Sequence, residues 1–402
     1  MLITPALLHV KTRTSRHRQE DAVVLQARGA DSPYRIEGMT ADLVLSRLDA
    51  TVMRVGPEAT EWHCVQADHA AMADAGEWAD LLEAMRYADQ ERSMASGGRR
   101  VAALISEGVR ASLTEALARQ DWRLARAELD RFDAVMAMHP EDYAAAHLLA
   151  QAHLDIGAAM LVAAGQGQLS RDLTAESAAH YVAAEDILTA FDPIEQLSPL
   201  LAGSRYLLVR GIEDGAQLCR DWFEDWCDLD PEDAAVHATH AVHLLPEWFG
   251  TLGAFEKEAR RAALMTEGTT GRAAYAIFHM AAAEALGDIV PTLDLGFFIE
   301  ALGDYQDATG CQHRANVAAS LLTRMVHDFR EAGPSANWQL TKARAALSNV
   351  VWNRLREIHL DSWAGGADAL AYALAEVFGP ALARGARIVR WGEGLGSRIP
   401  RG

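Results

Sequence analysis

The sequence predicts an all-α protein, with antiparallel helical hairpins stacked into a right-handed solenoid behind a short irregular or β-hairpin N-terminal arm. Three observations carry that expectation. From about residue 58 onward nearly every segment spaces its apolar residues at i, i+3, i+4 and i+7, the period of a helix with one buried face. Prolines and glycines interrupt the pattern often, so connections are short and neighbouring helices run antiparallel. Two segments repeat one another, as expected when single helical pairs cannot bury both their faces and must stack.

Taken in order, residues 1–55 stand apart. "AVVLQARG" and "PYRIEG" are short and β-prone, separated by "ADSP", and are expected to pair as a hairpin or to form an irregular arm. "TADLVLSRL" reads as a helix with Thr40 as N-cap. "GEWADLLEAMRYADQE" puts Trp78, Leu81, Leu82 and Met85 on one face, and "RRVAALISEGVRASLTEALARQ" follows the loop signal "SGG". Further helices are expected near 121–138, 143–164, 175–191, 194–210, 213–229, 233–245, 252–267, 270–286, 293–308, 311–330, 335–360 and 366–383. Residues 56–383 are therefore read as one helical-repeat solenoid. Residues 384–402 are read as a basic Gly/Arg-rich tail, where Arg384, Arg387 and Arg390 recur beside Ile388, Val389 and Trp391, and Gly392, Gly394 and Gly396 disfavour further helix. Such a tail docks on the solenoid, on a neighbouring copy or on an acidic partner; the alternative is a cap over the last helix pair.

The bulk numbers narrow the function classes. Of 402 residues, 50% are hydrophobic and 23% charged, the balance of a soluble globular chain. No unbroken apolar run reaches the roughly 18 residues of a membrane span. The opening "MLITPALLHVKTR" has no basic stretch ahead of its apolar residues, so no signal peptide is expected. Cys64, Cys219, Cys227 and Cys311 form no CxxC pair and read as reduced, buried thiols of a cytoplasmic protein. Only Lys11, Lys257 and Lys342 of the 37 basic residues are lysine, which points to a GC-rich bacterial genome. Net charge is −19; residues 1–18 and 384–402 each carry +4, leaving −27 between them. An acidic body of that size repels nucleic acid and anionic membrane.

The internal repeat sets "RAELDRFDAVMAMHPEDYAAAHLLAQAHLDIG" beside "GAQLCRDWFEDWCDLDPEDAAVHATHAVHLLPEW". Phe132 lies eight residues before Pro140, and Phe223 eight before Pro231; each proline is followed by Glu-Asp and an Ala-rich helix containing Ala146 and Ala150, or Ala238 and Ala241. The pattern resembles the tetratricopeptide repeat, with Trp248 standing where that family favours glycine. A looser resemblance over about 120–265, ending in "HLLPEWFGTLGAFEKEARRAA", is to an uncharacterised bacterial family of tetratricopeptide-like proteins; Glu247 and Phe249 depart from its Leu-Pro-basic-Trp-Gly-Gly element. The resemblance implies a helical-repeat fold and no particular activity.

The stretch "VHATHAVHLLPEWFG" concentrates the candidate site residues. His237, His240 and His243 are spaced three apart, so they form a slanting stripe. Two could share a metal, but zinc needs a third ligand that no spacing supplies, and no HExxH is present; the bland reading is that they pack. Trp222, Phe223 and Trp226, with Trp248 and Phe249, gather at one repeat junction, either as core or as part of a peptide-binding face. Cys311 and His313 in "GCQHR" point apart on a helix, and "GQGQLS" and "WGEGLGSR" match no phosphate loop. The expected function is a non-catalytic interaction protein, without cofactor or metal, using an acidic helical-repeat surface to bind a basic peptide or protein and able to form a homodimer. Its low-ranked binding residues are Trp222, Trp226, His237, His240 and Trp248. The alternative is a small-ligand binder or metal-dependent enzyme with its site near 219–250.

Overall fold

The computed structural model describes residue 25 and residues 32–163, 174–212 and 214–399. The basic residues 11–18, most of "AVVLQARG" and all of "GQGQLS" lie outside the described residues. Helix dominates: 17 α-helices and five short strands occur among the described residues. The chain divides into two compact units, and residues 56–383 do not form one continuous body. Unit 1 holds residues 61–293; unit 2 joins residues 6–60 to 294–402.

In chain order the elements begin with α1 (Ala41–Ser46), β1 (Leu48–Asp49), β2 (Val52–Met53) and α2 (Pro57–Ala75). Then follow α3 (Trp78–Gln90), α4 (Val101–Val109), α5 (Ala111–Ala118), α6 (Trp122–Met138), α7 (Tyr143–Ala163), α8 (Ala175–Leu188) and α9 (Pro199–Leu207). Unit 1 closes with α10 (Gly215–Leu229), α11 (Ala234–His243), α12 (Leu252–Met265) and α13 (Ala273–Leu286). The remainder is α14 (Leu295–Asp307), α15 (Gln312–Glu331), α16 (Asn337–Asn353), β3 (Ile358–His359), α17 (Gly366–Ala383), β4 (Arg387–Trp391) and β5 (Gly394–Arg398).

The helix starts of unit 1 follow from local chemistry. Each first turn has backbone N–H groups with no partner inside the helix, and a short polar side chain satisfies one of them. Asp121 accepts from the Leu124 amide at 3.0 Å and Thr251 from the Ala254 amide at 3.2 Å. Ser198 caps α9 ahead of Pro199, and its hydroxyl in turn donates to the buried Asp89. The two repeat segments share one device: Asp142 Oδ1 accepts from the Ala144 amide and Asp233 Oδ1 from the Ala235 amide, both at 2.9 Å. Phe132 and Phe223, equivalent in the two copies, are both buried, as are Ala150 and Ala241. α6 packs on α7 and α10 on α11, each pair joined by a tight four-residue turn. α7 is long and apolar enough to cross a membrane by length and composition; 67% of that stretch is buried inside unit 1.

One close approach is decided by a single glycine. A Cβ built on Gly108 of α4 would lie 2.2 Å from the Gln66 carbonyl oxygen of α2. The obstacle is backbone, which cannot swing aside as a side chain can. Gly108→Ala is therefore expected to destabilise unit 1 by about 2–3 kcal/mol, against the gain of about 1 kcal/mol that alanine brings to an ordinary helix site. A urea midpoint equal to or above that of the parent protein would show that the helices separate freely.

Unit 2 departs most from the sequence expectation. Thr40 caps α1 as read, accepting from the Leu43 amide at 3.2 Å, but the arm does not stand alone. β1 runs parallel to β4, and β2 parallel to β3. β4 and β5 pair antiparallel, so the strand order of the larger sheet is β1-β4-β5. Within residues 384–402, read above as a tail, residues 387–398 are thus a β-hairpin: Ile388 and Leu395 are buried, and Gly392, at φ 60°, supplies the turn. Strand pairing, not helical period, governs this stretch, and its pairing partner β1 lies at the far end of the sequence.

The 354–363 segment of unit 2 is fixed by two amide side chains of α15. Gln312 donates to the Arg354 carbonyl and accepts from the Arg356 and Glu357 amides. Asn316, fully buried, uses its whole hydrogen-bonding capacity. Its Nδ2 donates to the carbonyls of Gln312 and Glu357, at 2.9 and 3.0 Å; its Oδ1 accepts from the His359 amide and the Trp363 indole, both at 2.9 Å.

Candidate functional site

The structure brings the predicted residues of unit 1 into one cluster on α9 to α12. His237, His240 and Trp248 are each 1% exposed and His243 is 0% exposed; Trp226 is buried, whereas Trp222 is half-buried. The helical spacing of three sends each imidazole to a different neighbour. His237 Nε2 donates to the Pro231 carbonyl at 2.8 Å, closing the turn ahead of its own helix. His243 Nε2 accepts from Arg210 Nε at 2.7 Å, and the Arg210 guanidinium also lies over the Trp248 ring at 4.9 Å. His240 lies flat on Phe223, with ring centres 3.8 Å apart and planes 7° apart.

Around His240 the donors run in one direction. The Cys219 thiol and the Tyr206 hydroxyl are 3.1 Å apart, and Tyr206 Oη is 2.7 Å from His240 Nδ1. Burial pushes the Cys219 thiol up to about 11, so the sulfur keeps its proton and donates to Tyr206, which donates to His240 Nδ1. The His240 Nε2–H then faces Glu258 Oε1 at 3.8 Å, and Arg261 holds the same carboxylate from Nε at 2.7 Å. Burial works to raise the Glu258 pKa, but His240 and Arg261 together outweigh it and hold it down to about 2. Burial likewise drives His240 and His243 below the ordinary histidine range, and His237 down to about 4. His237 Nδ1, His243 Nδ1 and the indole nitrogens of Trp226 and Trp248 have no hydrogen-bond partner among the described residues, so ring packing is the main cohesion here.

This geometry does not present chemistry to solvent. The thiol is protonated, the imidazoles are neutral and enclosed, and no three metal-ligating side chains converge among the described residues. Cys311 and His313 also stay apart in their bonding: Thr309 donates to Cys311 Sγ at 3.1 Å, and His313 Nδ1 lies 3.2 Å from Ser362 Oγ.

A second histidine cluster in unit 1 went unnoticed in the sequence because its members are single polar residues on three helices. His147 Nε2 and Nδ1 lie 2.8 Å from Ser106 Oγ and Ser204 Oγ respectively. Ser204 donates to Gln151, Gln151 Nε2 donates to Asp155, and Arg110 binds both Asp155 and Ser106. Because the Ser204 proton goes to Gln151, Ser204 accepts from His147 Nδ1–H; Nε2 is then the acceptor of the Ser106 hydroxyl. The ring closes only with a neutral imidazole, and burial, reinforced by Arg110, lowers His147 to about 3.

The surface features are of a different kind. Unit 1 holds 17 Lys and Arg against 38 Asp and Glu over residues 61–293, a net −21. Asp225 of α10 has Asp221 and Asp228 one helical turn away on either side and Asp192 near enough to act on its charge, together with Arg205, whose guanidinium covers the Trp222 ring at 5.0 Å. Burial first, and then the neighbouring Asp228, Asp192 and Asp221, push the Asp225 carboxyl up against the pull of Arg205. Unit 2 is close to neutral: residues 6–60 and 294–402 carry +2, with Arg384, Arg387, Arg390 and Arg398 close together in sequence and register at the hairpin. The sequence reading of one acidic body with two basic tails is thus redistributed: the acid belongs to unit 1. Comparison with protein-family models, with curated proteins and with solved structures finds no match for this chain.

Proposed function

We propose that the chain is a non-catalytic interaction protein of tetratricopeptide-like build, which binds a cationic peptide or protein segment on the acidic α10 face of unit 1. The observation that carries this reading is the crowding of Asp192, Asp221 and Asp228 about Asp225, with a single arginine, Arg205, over the half-buried Trp222. Burial and its like-charged neighbours raise the Asp225 carboxyl, a cost relieved when a cation arrives, and the indole offers an apolar and cation–π contact for it. The repeat reading is supported by the shared aspartate caps and buried phenylalanines of α6–α7 and α10–α11. The enclosed histidines play a structural part in this scheme. Unpaired cysteines and near-exclusive use of arginine support a bacterial, cytoplasmic setting.

The test is titration of the full chain with an Arg-rich peptide carrying one tryptophan or leucine, followed by calorimetry at low and high salt. Binding is expected to weaken roughly tenfold in Asp221→Lys/Asp225→Lys, and to weaken as salt rises. Equal affinity in the variant, or no binding to any peptide of this composition, would sink the proposal.

A further inference from the structure

The hairpin of unit 2 has the opposite character to the α10 face. Trp391 is 67% exposed and its side chain lies against Gly396, where a Cβ would approach it to 2.8 Å. In the β4–β5 register Arg387 stands directly opposite Arg398, so the two guanidinium groups and Trp391 rise from one face of the ribbon. Like charges in a cross-strand pair repel. Arg387 has Asp49 at 3.6 Å, while Arg384, Arg390 and Arg398 make no ion pair among the described residues. β5 is an edge strand, and its residues Gly396 and Ser397 line a groove of about 290 Å³ with Trp352, Phe378, Pro380 and Arg384. Trp352 is 50% exposed there. Cations without partners, a repelling arginine pair and two exposed indoles beside an apolar groove together describe a face suited to an anionic surface with some apolar content.

We infer that this face docks on the acidic α10 surface of a second copy of the chain, each copy giving its hairpin and receiving the other's, so that two equivalent contacts close a dimer. The inference rests on the reading of α10 as the seat of a cationic partner, and it names that partner. Charge complementarity selects a second copy: unit 1 carries −21 and holds an aspartate cluster about Asp225 with one arginine near it, whereas residues 384–398 carry four arginines against one acid, Glu393, which pairs with Arg356. Trp391 and Trp352 supply the apolar anchors that give such a contact lifetime, and the charges supply rate and orientation. Reciprocal exchange matters because a one-way contact of this kind would propagate into a filament.

The experiment is sedimentation equilibrium of the full chain at about 50 mM and about 500 mM salt, a range over which exposed charge pairs are progressively screened. A dimer is expected at low salt, with its dissociation constant rising at least tenfold at high salt. Arg398→Glu/Trp391→Ala, both at exposed positions, is expected to be monomeric with an unchanged thermal midpoint. Asp221→Arg/Asp225→Arg is also expected to be monomeric, and its mixture with an Arg384→Glu/Arg398→Glu chain is expected to form a heterodimer stronger than either variant forms alone. A wild-type monomer at all concentrations overturns the inference, even if an Arg-rich peptide still binds α10, in which case the function proposed above survives it. A dimer that persists in the hairpin variant, or one lost there but kept in the α10 variant, also overturns it.

Discussion

Acidification is expected to unfold unit 1 well before its carboxylates titrate in bulk. His147, His153, His180, His237, His240 and His243 all have pKa values held below the ordinary histidine range, with burial the first cause in each. His147 falls to about 3, and His153 and His237 to about 4. In the native state such a ring stays neutral, while the unfolded chain takes up the proton at about 6.5. Its full contribution is therefore present above about 6.5 and is lost as pH falls toward the folded value, at up to about 1.4 kcal/mol per pH unit per ring. Asp89 and Asp233 act in the opposite sense: raised to about 6, mainly by burial, they bind protons natively and lose stability as pH rises from their unfolded values through 6. Asp225, Asp230 and Glu284 are raised as well and act with these two, while Glu256 and Glu258 are lowered and act with the rings. Six rings and two lowered carboxyls against five raised ones leave a net loss on acidification, several kcal/mol by about pH 4.5, comparable to the whole stability of a typical domain. Urea midpoints measured by circular dichroism from neutral to acid pH check this. His147→Gln keeps a donor and an acceptor but cannot titrate, so its profile is expected to be shallower by one ring's share. A midpoint unchanged between pH 6.5 and 4.5 would contradict the buried neutral rings.

Replacing Asn316 is expected to be the most damaging single change in unit 2. Asn316→Leu leaves two carbonyls, an amide and the Trp363 indole without their partner in a site that is fully enclosed. Each stranded group costs about 1–3 kcal/mol, and partial repacking brings the sum to about 3–5 kcal/mol. A domain of this size loses roughly 10 °C in its thermal midpoint for such a change. Asn316→Asp is the sharper control. It keeps the acceptor oxygen for His359 and Trp363 but turns a carboxylate toward two carbonyls, so it should fare no better at neutral pH and recover in part as pH falls. The readout is calorimetry together with Trp363 fluorescence. A loss below about 1 kcal/mol in Asn316→Leu would mean that the 354–363 segment is held by other contacts.

Much of the helical plan was legible in the sequence because its signals are local. The expected spans 121–138, 143–164 and 366–383 differ from α6, α7 and α17 by at most a residue at each end, since apolar period, capping aspartates and proline breaks all act within a few residues. The candidate residues His237, His240, Trp226 and Trp248 do gather, because α9 to α12 pack them together. Their separate partners, Pro231, Tyr206 and Arg210, could not be read, since those depend on how α11 packs against α9, the residues after it and the turn after α10. The His147 ring was invisible for the same reason: Ser106, His147 and Ser204 carry no spacing in common.

By itself the sequence determined which stretches are helical and where most of them end, because propensity, period and capping are properties of neighbouring residues; the expected helix 335–360 instead stops at Asn353 ahead of β3, and 194–210 begins only at Pro199. Only the tertiary structure decided that Leu48 and Asp49 pair with Ile388 and Val389, that the strongly acidic stretch 61–293 forms a unit of its own, and that a segment composed like a tail becomes a hairpin with Trp391, Arg387 and Arg398 on one face. A strand of two residues has too little side-chain pattern to announce itself. It exists because its backbone N–H and C=O groups find partners from the other end of the chain, and burying those groups without such partners would cost more than the strand could return.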